Sequence, residues 1–163
     1  FSGASACLQV FGGHGYVREW GIEQHVRDAR VAMIYEGTNE IQAIDLLVRK
    51  TLPDGAAALQ ALLADLRSDL AERPGSDGTR DALARFADFV RERVVPMARA
   101  SADRPFWLAD DFLRATALLL MAWAWERLAA TDGHGAEARA AFWRWVWPEF
   151  EMRLAMMDAA LVS

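Results

Sequence analysis

The stretch IYEGTNEIQ, residues 34–42, decides how this sequence is interpreted, and QVFGGHGY, residues 9–16, precedes it. The first stretch places a carboxylate, Glu36, directly before Gly37 and a helix-start signature. The second stretch is a glycine-rich loop, in which missing side chains let backbone amides approach a phosphate. Both stretches therefore place residues that can carry chemistry where the backbone turns at glycines.

Helical patterns lie around both stretches. Residues 2–11 resemble a helix end that a glycine pair closes, and residues 14–21 are predicted to form a loop. A short helix or turn is predicted over residues 22–30, and an extended or irregular segment over residues 31–35. Thr38 or Asn39 can cap the next helix. Its expected apolar stripe is Ile41, Ile44, Leu47 and Val48.

The chain after residue 51 has a different composition, rich in alanine, leucine, arginine and aspartate and without lysine. A strongly amphipathic helix is expected first, with an apolar face of Leu59, Leu62, Leu63, Leu66 and Leu70. Pro96 is expected to bend or shorten the second helix, and Pro148 to interrupt the last. The predicted helices cover residues 56–72, 81–100, 105–130 and 136–161, with a loop at 73–78 and a turn at 131–135.

These patterns predict an all-α fold with two domains. Residues 1–51 form a smaller helical piece, and residues 52–163 form an antiparallel helical bundle appended to it. The alternating tryptophans at positions 143, 145 and 147 cannot share one helical face. Some of them are expected to pack between helices, and the alternative is contact with another subunit or domain.

Composition excludes several classes of function. The net charge of -5 and the pI near 5.2 argue against a nucleic-acid surface, and the arginines are interspersed with acids rather than clustered against a membrane. The most apolar run, residues 115–125, is too short to span a bilayer. The single cysteine, Cys7, excludes an internal disulfide and favours a reducing, cytoplasmic location.

The start of the chain predicts a fragment or a processed product. Phe1 is not a methionine, and residues 1–10 lack the basic lead and long apolar core of a signal peptide. Cys7 is expected to be a core thiol, and the Asp110–Asp111 pair a solvated face. Two histidines and two glutamates between residues 14 and 25 lack metal-ligand spacing, so no metal is expected at His14, Glu19, Glu23 and His25.

QVFGGHGY, then RDAR at residues 27–30, then IYEGTNEIQ resemble, in order and spacing, the end of the C-terminal helical domain of the acyl-CoA dehydrogenases. The resemblance is strong over residues 2–50. Residues 41–50 with a helical extension after them resemble a bacterial subgroup that has an extra C-terminal domain. That subgroup acts on fatty acyl-CoA or methylthiopropionyl thioesters. Over residues 52–163 only a diffuse helical pattern supports the resemblance.

The resemblance implies an enzyme that uses FAD to convert an acyl-CoA to the trans-2-enoyl-CoA. Glu36 matches the catalytic base that removes the α proton, and an apolar, water-excluding pocket would raise the pKa of such a carboxyl. Gly37 matches the position where substrate passes close to the backbone. Backbone amides near this turn would stabilise the thioester oxygen.

The resemblance also implies a flavin site shared between subunits, and hence a homo-oligomer. The residues that match the loop touching FAD of a neighbouring subunit are Gln9, Val10, Phe11, Gly12 and Gly13. The residues that match positions beside the subunit's own flavin are Thr38, Asn39 and Glu40. An electron-transfer flavoprotein is the expected electron acceptor. Many relatives have arginine where this chain has Ala43, and some have glutamine or glycine in place of Glu40.

Two classes of function stay open on the sequence alone. The first is the C-terminal portion of a flavin-dependent acyl-CoA dehydrogenase, which Glu36 favours. The second is a helical module for oligomerisation or partner docking without catalysis, which the lack of a flavin-embracing β-domain favours. Combining both, the parent protein is expected to be an enzyme and the isolated 163-residue chain to be inactive.

Overall fold

The computed structural model describes residues 1–128 and 135–162, and helices are the regular structure throughout them. The predicted all-α fold is confirmed: the described residues contain no strand. The chain divides into two compact units, Phe1–Gln42 and Ala43–Ser163. The boundary that the sequence predicts after residue 51 stays a prediction.

The first unit is built from short helices. They are α1 (Ser2–Val10), α2 (Gly13–Tyr16), a 3-10 turn (Arg18–Trp20), α3 (Ile22–Val31) and the start of α4 (Asn39–Ile44). The loop predicted over residues 14–21 is therefore wrong, because most of it is helical. Gly15 explains the difference: a Cβ there would lie 2.5 Å from the Leu8 carbonyl oxygen, so only glycine lets α2 fold against α1.

The first unit buries little of its surface. Gly15 is the only one of its residues that is classed as buried, and α1 buries none. The prediction of a core thiol at Cys7 is wrong, because this cysteine is exposed. Residues 32–36 form successive turns, so the irregular alternative predicted there is confirmed and the extended one is not.

The second unit is a helical bundle with three π-helical segments. Its helices are α5 (Ala57–Asp69), α6 (Asp77–Phe89), α7 (Val95–Ala100), α8 (Arg104–Leu128), α9 (Ala136–Ala141) and α10 (Pro148–Val162). The π-helical segments are Asp45–Thr51, Val90–Val94 and Phe142–Val146. Apart from Gly135, the turn predicted over residues 131–135 lies outside the described residues, as do the last two residues of the helix predicted over 105–130.

Three phenylalanines from different helices form the centre of the bundle. Phe86 of α6 lies 5.6 Å from Phe112 of α8 and 6.3 Å from Phe150 of α10, measured between ring centroids. All three side chains are fully buried. Aromatic rings in such tilted and edge-on contacts combine large apolar burial with favourable ring geometry, so this cluster stabilises the packing of the three helices.

One of two local predictions in the bundle needs correction. The loop predicted over residues 73–78 is shorter, because α6 already begins at Asp77. The buried Ser76 hydroxyl donates to the carbonyls of Leu70 and Arg73, which satisfies the end of the preceding turn. The interruption predicted at Pro148 is confirmed, because the helical segment before it ends at Val146 and Pro148 is the first residue of α10, where a missing N–H is harmless.

The predicted division of the tryptophans over more than one face is confirmed. Trp143 and Trp147 are half-buried and contact each other edge-on, with 5.1 Å between ring centroids. Trp147 also stacks on Phe150 at 4.8 Å. Trp145 is 73% exposed, so it points away from the packed side.

An ionic cluster joins α8 to α10. Arg153 donates to Asp111 at 2.7 Å, to Asp110 at 3.1 Å and to Glu149 at 3.0 Å, and Arg114 donates to Glu149 at 2.8 Å. The prediction of a solvated face at the aspartate pair is wrong for Asp111, whose side chain is only 13% exposed. The sequence could not reveal this, because the arginine lies on another helix.

Replacing Glu149 by glutamine is expected to destabilise the chain by about 1 kcal/mol or less at pH 7. Burial raises the pKa of Glu149, but hydrogen bonds from Arg114 and Arg153 outweigh it and hold the pKa below its ordinary value. A carboxyl whose pKa is lower in the folded chain stabilises the fold at pH values above its pKa in the unfolded chain, about 4.3. This stabilisation is lost as the pH falls through the pKa in the folded chain.

Urea unfolding at pH 7 and at pH 3 measures this effect. The difference between wild type and Glu149→Gln should shrink at the lower pH. The exposed Glu72, replaced in the same way, should show little difference at either pH. A Glu149→Gln penalty of equal size at both pH values would contradict an ionic origin.

No described helix has the length and apolar character needed to cross a membrane. Within the same residues, no group of histidine, cysteine, aspartate and glutamate side chains is arranged to hold a metal ion.

Candidate functional site

Glu36 lies in a tight turn between α3 and α4. Its φ is 56°, a left-handed conformation that is uncommon for a residue with a side chain, and the φ of Gly37 is 99°. The Gln42 side-chain amide donates to the Glu36 carbonyl oxygen at 2.8 Å, which ties the turn to the first turn of α4. Non-glycine residues held at positive φ cluster at functional sites, where the surrounding structure maintains them.

Glu36 and the apolar residues near it along the chain are exposed. Glu36 is exposed, and Ile34, Tyr35 and Ile41 have 51%, 59% and 56% of their surface exposed. The first unit therefore presents an acid on an apolar surface without enclosing it. The water-excluding pocket expected around this base would need other protein or substrate to cover these side chains.

The residues after the turn form the start of α4. Thr38 precedes the helix, and its carbonyl accepts the Gln42 N–H at 3.0 Å. The backbone N–H of Glu40 and the Thr38 hydroxyl hydrogen-bond to the Glu40 carboxylate, and these bonds lower the pKa of Glu40. Asn39 is half-buried and Glu40 is exposed. Glu36, Gly37, Thr38, Asn39 and Glu40 thus lie together in one turn and the helix start after it.

The glycine-rich loop follows α1. Gln9, Val10, Phe11, Gly12 and Gly13 are all exposed, and 86% of the Val10 surface is accessible. Gly12 has a φ of 59° and a ψ of -142°, which requires glycine.

The loop has room for a ligand next to its backbone. A Cβ at Gly12 or Gly13 would meet no atom within 4 Å, so the space beside both glycines is open. Packing inside the chain therefore does not explain why position 13 lacks a side chain. An exposed, side-chain-free backbone fits the close approach of a phosphate-bearing cofactor such as FAD.

No hydrogen bond or ring contact joins the loop to the Glu36 turn within the described residues. The loop is held instead by Trp20, whose ring contacts Phe11 at 6.4 Å and His14 at 5.1 Å between centroids. The two groups of predicted site residues are therefore two separate features of the first unit.

Gln42 is a positioning residue that the sequence analysis did not single out. It belongs to IYEGTNEIQ, but only the structure shows that its amide reaches back to the Glu36 carbonyl. The sequence could have indicated this bond through the place of Gln42 in the first turn of α4, where a side-chain donor can reach the preceding turn. The charge of Arg30 also contributes to lowering the pKa of Glu40.

Comparison with known proteins shows which proteins this part of the chain is similar to. The profile described as "Acyl-CoA dehydrogenase, C-terminal domain" matches residues 1–50. Residues 1–50 are therefore similar to the C-terminal domain of the acyl-CoA dehydrogenases. The resemblance found in the sequence is thereby confirmed for this acyl-CoA dehydrogenase segment.

Individual acyl-CoA dehydrogenases are similar to the same segment. The 3-methylmercaptopropionyl-CoA dehydrogenase of Ruegeria pomeroyi is 56% identical over 52 residues, which are 32% of this chain and 9% of that protein. The broad-specificity linear acyl-CoA dehydrogenase FadE5 of Mycobacterium tuberculosis is 46% identical over 52 residues, again 32% of this chain and 8% of that protein.

A mammalian acyl-CoA dehydrogenase is also similar to a short segment of this chain. The mitochondrial short-chain specific acyl-CoA dehydrogenase of Bos taurus is 57% identical over 37 residues, which are 23% of this chain and 9% of that protein. The chain thus spans about a tenth of the length of these curated acyl-CoA dehydrogenases. No solved structure matches it significantly.

Replacing Gly37 by alanine is expected to lower, by roughly 10- to 100-fold, any turnover of the full-length protein that depends on the Glu36 turn. An alanine would be strained at a φ of 99°, and its Cβ would lie 3.3 Å from Ile41 Cγ2 and 3.4 Å from Gln42 Nε2. Both contacts would shift the turn that carries Glu36. Steady-state kinetics of the purified parent protein measure the change.

The control for this prediction is Gly3→Ala in α1. A Cβ at Gly3 meets no atom within 4 Å and the residue is helical, so turnover should be unaffected. Turnover of Gly37→Ala equal to wild type would show that the turn tolerates displacement.

Proposed function

We propose that the parent protein is an acyl-CoA dehydrogenase that oxidises an acyl-CoA to the trans-2-enoyl-CoA with Glu36 as the α-proton base. The observation that carries the proposal is the turn of Glu36, held at positive φ by Gly37 and Gln42 inside the family segment. A surface glutamate with only a helix-capping role would need neither the strained φ nor the bond from Gln42.

The chain's own residues would act on the α carbon and the thioester. The Glu36 carboxylate would take the α proton, and the electrons of that C–H bond would form the new Cα–Cβ double bond as the β hydrogen leaves with its electron pair. The lack of a side chain at Gly37 would let the thioester lie against the backbone, where an N–H can donate to its oxygen. The exposed Ile34, Tyr35 and Ile41 would be covered by substrate and neighbouring protein, which excludes water.

When bound, FAD would supply the hydride acceptor for this reaction. Gln9, Val10, Phe11, Gly12 and Gly13 would hold the adenine and pyrophosphate end of an FAD bound by a neighbouring subunit. Thr38, Asn39 and Glu40 would lie beside the subunit's own flavin. The open, side-chain-free backbone at Gly12 and Gly13 supports the first assignment.

Further parts of the proposal rest on the family alone. A flavin site shared between subunits would make the enzyme at least a homodimer, and the exposed apolar residues of the first unit offer surface for such contacts. An electron-transfer flavoprotein is the proposed electron acceptor and the cytoplasm the proposed location. The proposed role of residues 52–163 is a C-terminal helical extension of the catalytic chain.

Acyl-CoA-dependent dye reduction by the flavin-loaded parent protein tests the proposal. Straight-chain acyl-CoA substrates of short, medium and long chain and a methylthiopropionyl thioester would be compared. Turnover of at least one of these thioesters is expected. A parent that holds flavin yet reduces no dye with any of them would overturn the proposed activity.

A further inference from the structure

The second unit contains an open cleft that is lined by none of the residues discussed for the acyl-CoA reaction. The cleft has a volume of about 370 Å³, within the range of small-molecule sites. Its walls come from the π-helical segment Asp45–Thr51 and the turn after it, from α7, and from the chain around the start of α8. Its apolar lining includes Val48, Leu52, Val95, Ala98, Ala102 and Pro105.

Arg99 is the one lining residue that has a polar side chain. The other lining residues are valine, leucine, proline, alanine and glycine. The guanidinium of Arg99 lies beside Gly55, which also lines the cleft, because a Cβ added at Gly55 would stand 3.8 Å from Arg99 Nη2. The charged end of the side chain, and not only its stem, therefore borders the cleft.

The Arg99 guanidinium is accessible and unpaired. Arg99 is exposed, and its side chain makes no ion pair and no hydrogen bond with any described residue. Asp54, the acid next to Gly55, is used elsewhere, since its carboxylate oxygens accept the N–H groups of Ala57 and Ala58 at 3.1 and 2.9 Å. The donors of Arg99 are thus available to a ligand in the cleft.

The charges near the cleft favour a ligand with a single negative charge. Arg49 and Lys50 follow the lining residue Val48 in sequence, but both pair with Asp45, at 3.0 and 2.8 Å. Arg99 is therefore the cation that a ligand would meet, and one cation offsets the desolvation of one anionic group only. A planar guanidinium matches a carboxylate through two parallel N–H···O bonds.

We propose that this cleft binds a small monocarboxylate with an apolar body, whose carboxylate pairs with the Arg99 guanidinium while the apolar body contacts the walls. Both parts contribute, because the ion pair fixes the orientation and the walls remove apolar surface from water. The site is independent of the Glu36 turn, since all its lining residues belong to the second unit.

Methyl NMR of the 163-residue chain, ¹³C-labelled at valine and leucine, tests the site with hexanoate as the probe. Val48→Ile and Leu52→Met identify the signals of these two lining residues. Hexanoate should shift both signals saturably. Hexan-1-ol keeps the chain without the charge, and acetate keeps the carboxylate without the chain, so each should bind at least about tenfold more weakly than hexanoate.

Arg99→Gln should weaken hexanoate binding by about fivefold to tenfold, through loss of the charge-assisted hydrogen bonds. The variant should fold, because the Arg99 side chain is exposed and has no partner among the described residues. The matched control is Arg67→Gln. It removes an exposed arginine of α5 that does not line the cleft, so it should bind hexanoate as wild type does.

Three results would overturn the proposal. Hexanoate could leave the Val48 and Leu52 signals unmoved, which would show that the cleft does not hold this class of ligand. Arg99→Gln could bind hexanoate with unchanged affinity, which would remove the ion pair. Acetate or inorganic phosphate could bind as tightly as hexanoate, which would show a general anion site without a role for the apolar walls.

Discussion

Replacing Glu36 by glutamine in the parent protein should reduce acyl-CoA turnover by about a thousandfold or more, in the upper range for loss of a general base. Glutamine keeps the size and polarity of the side chain but cannot take up the α proton. The left-handed φ of 56° and the bond from the Gln42 side chain involve only the backbone of residue 36, so the turn should persist. Dye-reduction kinetics with a flavin absorbance spectrum measure both consequences.

The control distinguishes loss of the base from loss of any acid in this region. Glu19 is an exposed glutamate in the same unit, and Glu19→Gln should retain wild-type turnover. Flavin content should be unchanged in both variants, because the loop at residues 9–13 is untouched. A Glu36→Gln enzyme with more than about a tenth of wild-type turnover would assign proton removal to another group.

Replacing Phe86 by alanine should destabilise the bundle by about 3–5 kcal/mol. Its ring is fully buried between Phe112 and Phe150, so the substitution opens a cavity where three helices meet. Residues on α6, α8 and α10 cannot all move to fill it, because the Arg153 cluster fixes α8 against α10. Urea unfolding of the 163-residue chain, followed by far-UV circular dichroism, measures the loss.

The same substitution at an exposed ring provides the comparison. Phe106 of α8 is 49% exposed, and Phe106→Ala should cost less than about 1 kcal/mol. If Phe86→Ala and Phe106→Ala lower the free energy of unfolding by similar amounts, the three-ring cluster contributes no more to stability than an exposed ring does.

Helical periodicity predicted much of the bundle. Of the five leucines expected on one face of α5 and just after it, four are buried in the core, and only Leu62 is 42% exposed. Such a stripe follows from the helical repeat alone, because residues three and four apart share a face. The boundaries of α6 and α10 were less predictable, since a buried serine hydroxyl and a helix-starting proline decided them.

Contacts between distant residues could not be predicted. The pairing of Arg153 with Asp111, the Glu126–Arg139 bond and the π-helical segments depend on which helices pack together. The sequence contains no local sign of these arrangements. The Cys7 prediction failed for a related reason: an apolar neighbourhood along the chain does not establish burial in three dimensions.

The residues of the Glu36 turn could be predicted from the sequence, but its backbone conformation could not. The motif located the acid, the glycine and the helix start, because all three are neighbours in sequence. The left-handed φ of Glu36 and the return bond from Gln42 were not, since a glutamate gives no local sign of either. The enclosure of the carboxylate also depends on surfaces beyond the turn.

The most direct test of the central claim is hydrogen exchange at the α carbon of an acyl-CoA in which sulfur replaces the β carbon. Such a thioester has no β hydrogen to lose, so deuterium uptake in heavy water reports proton removal alone. With the flavin-loaded parent protein, NMR should show α-hydrogen exchange by wild type and its near absence with Glu36→Gln. Equal exchange rates in the two proteins would contradict the assignment of Glu36 as the base.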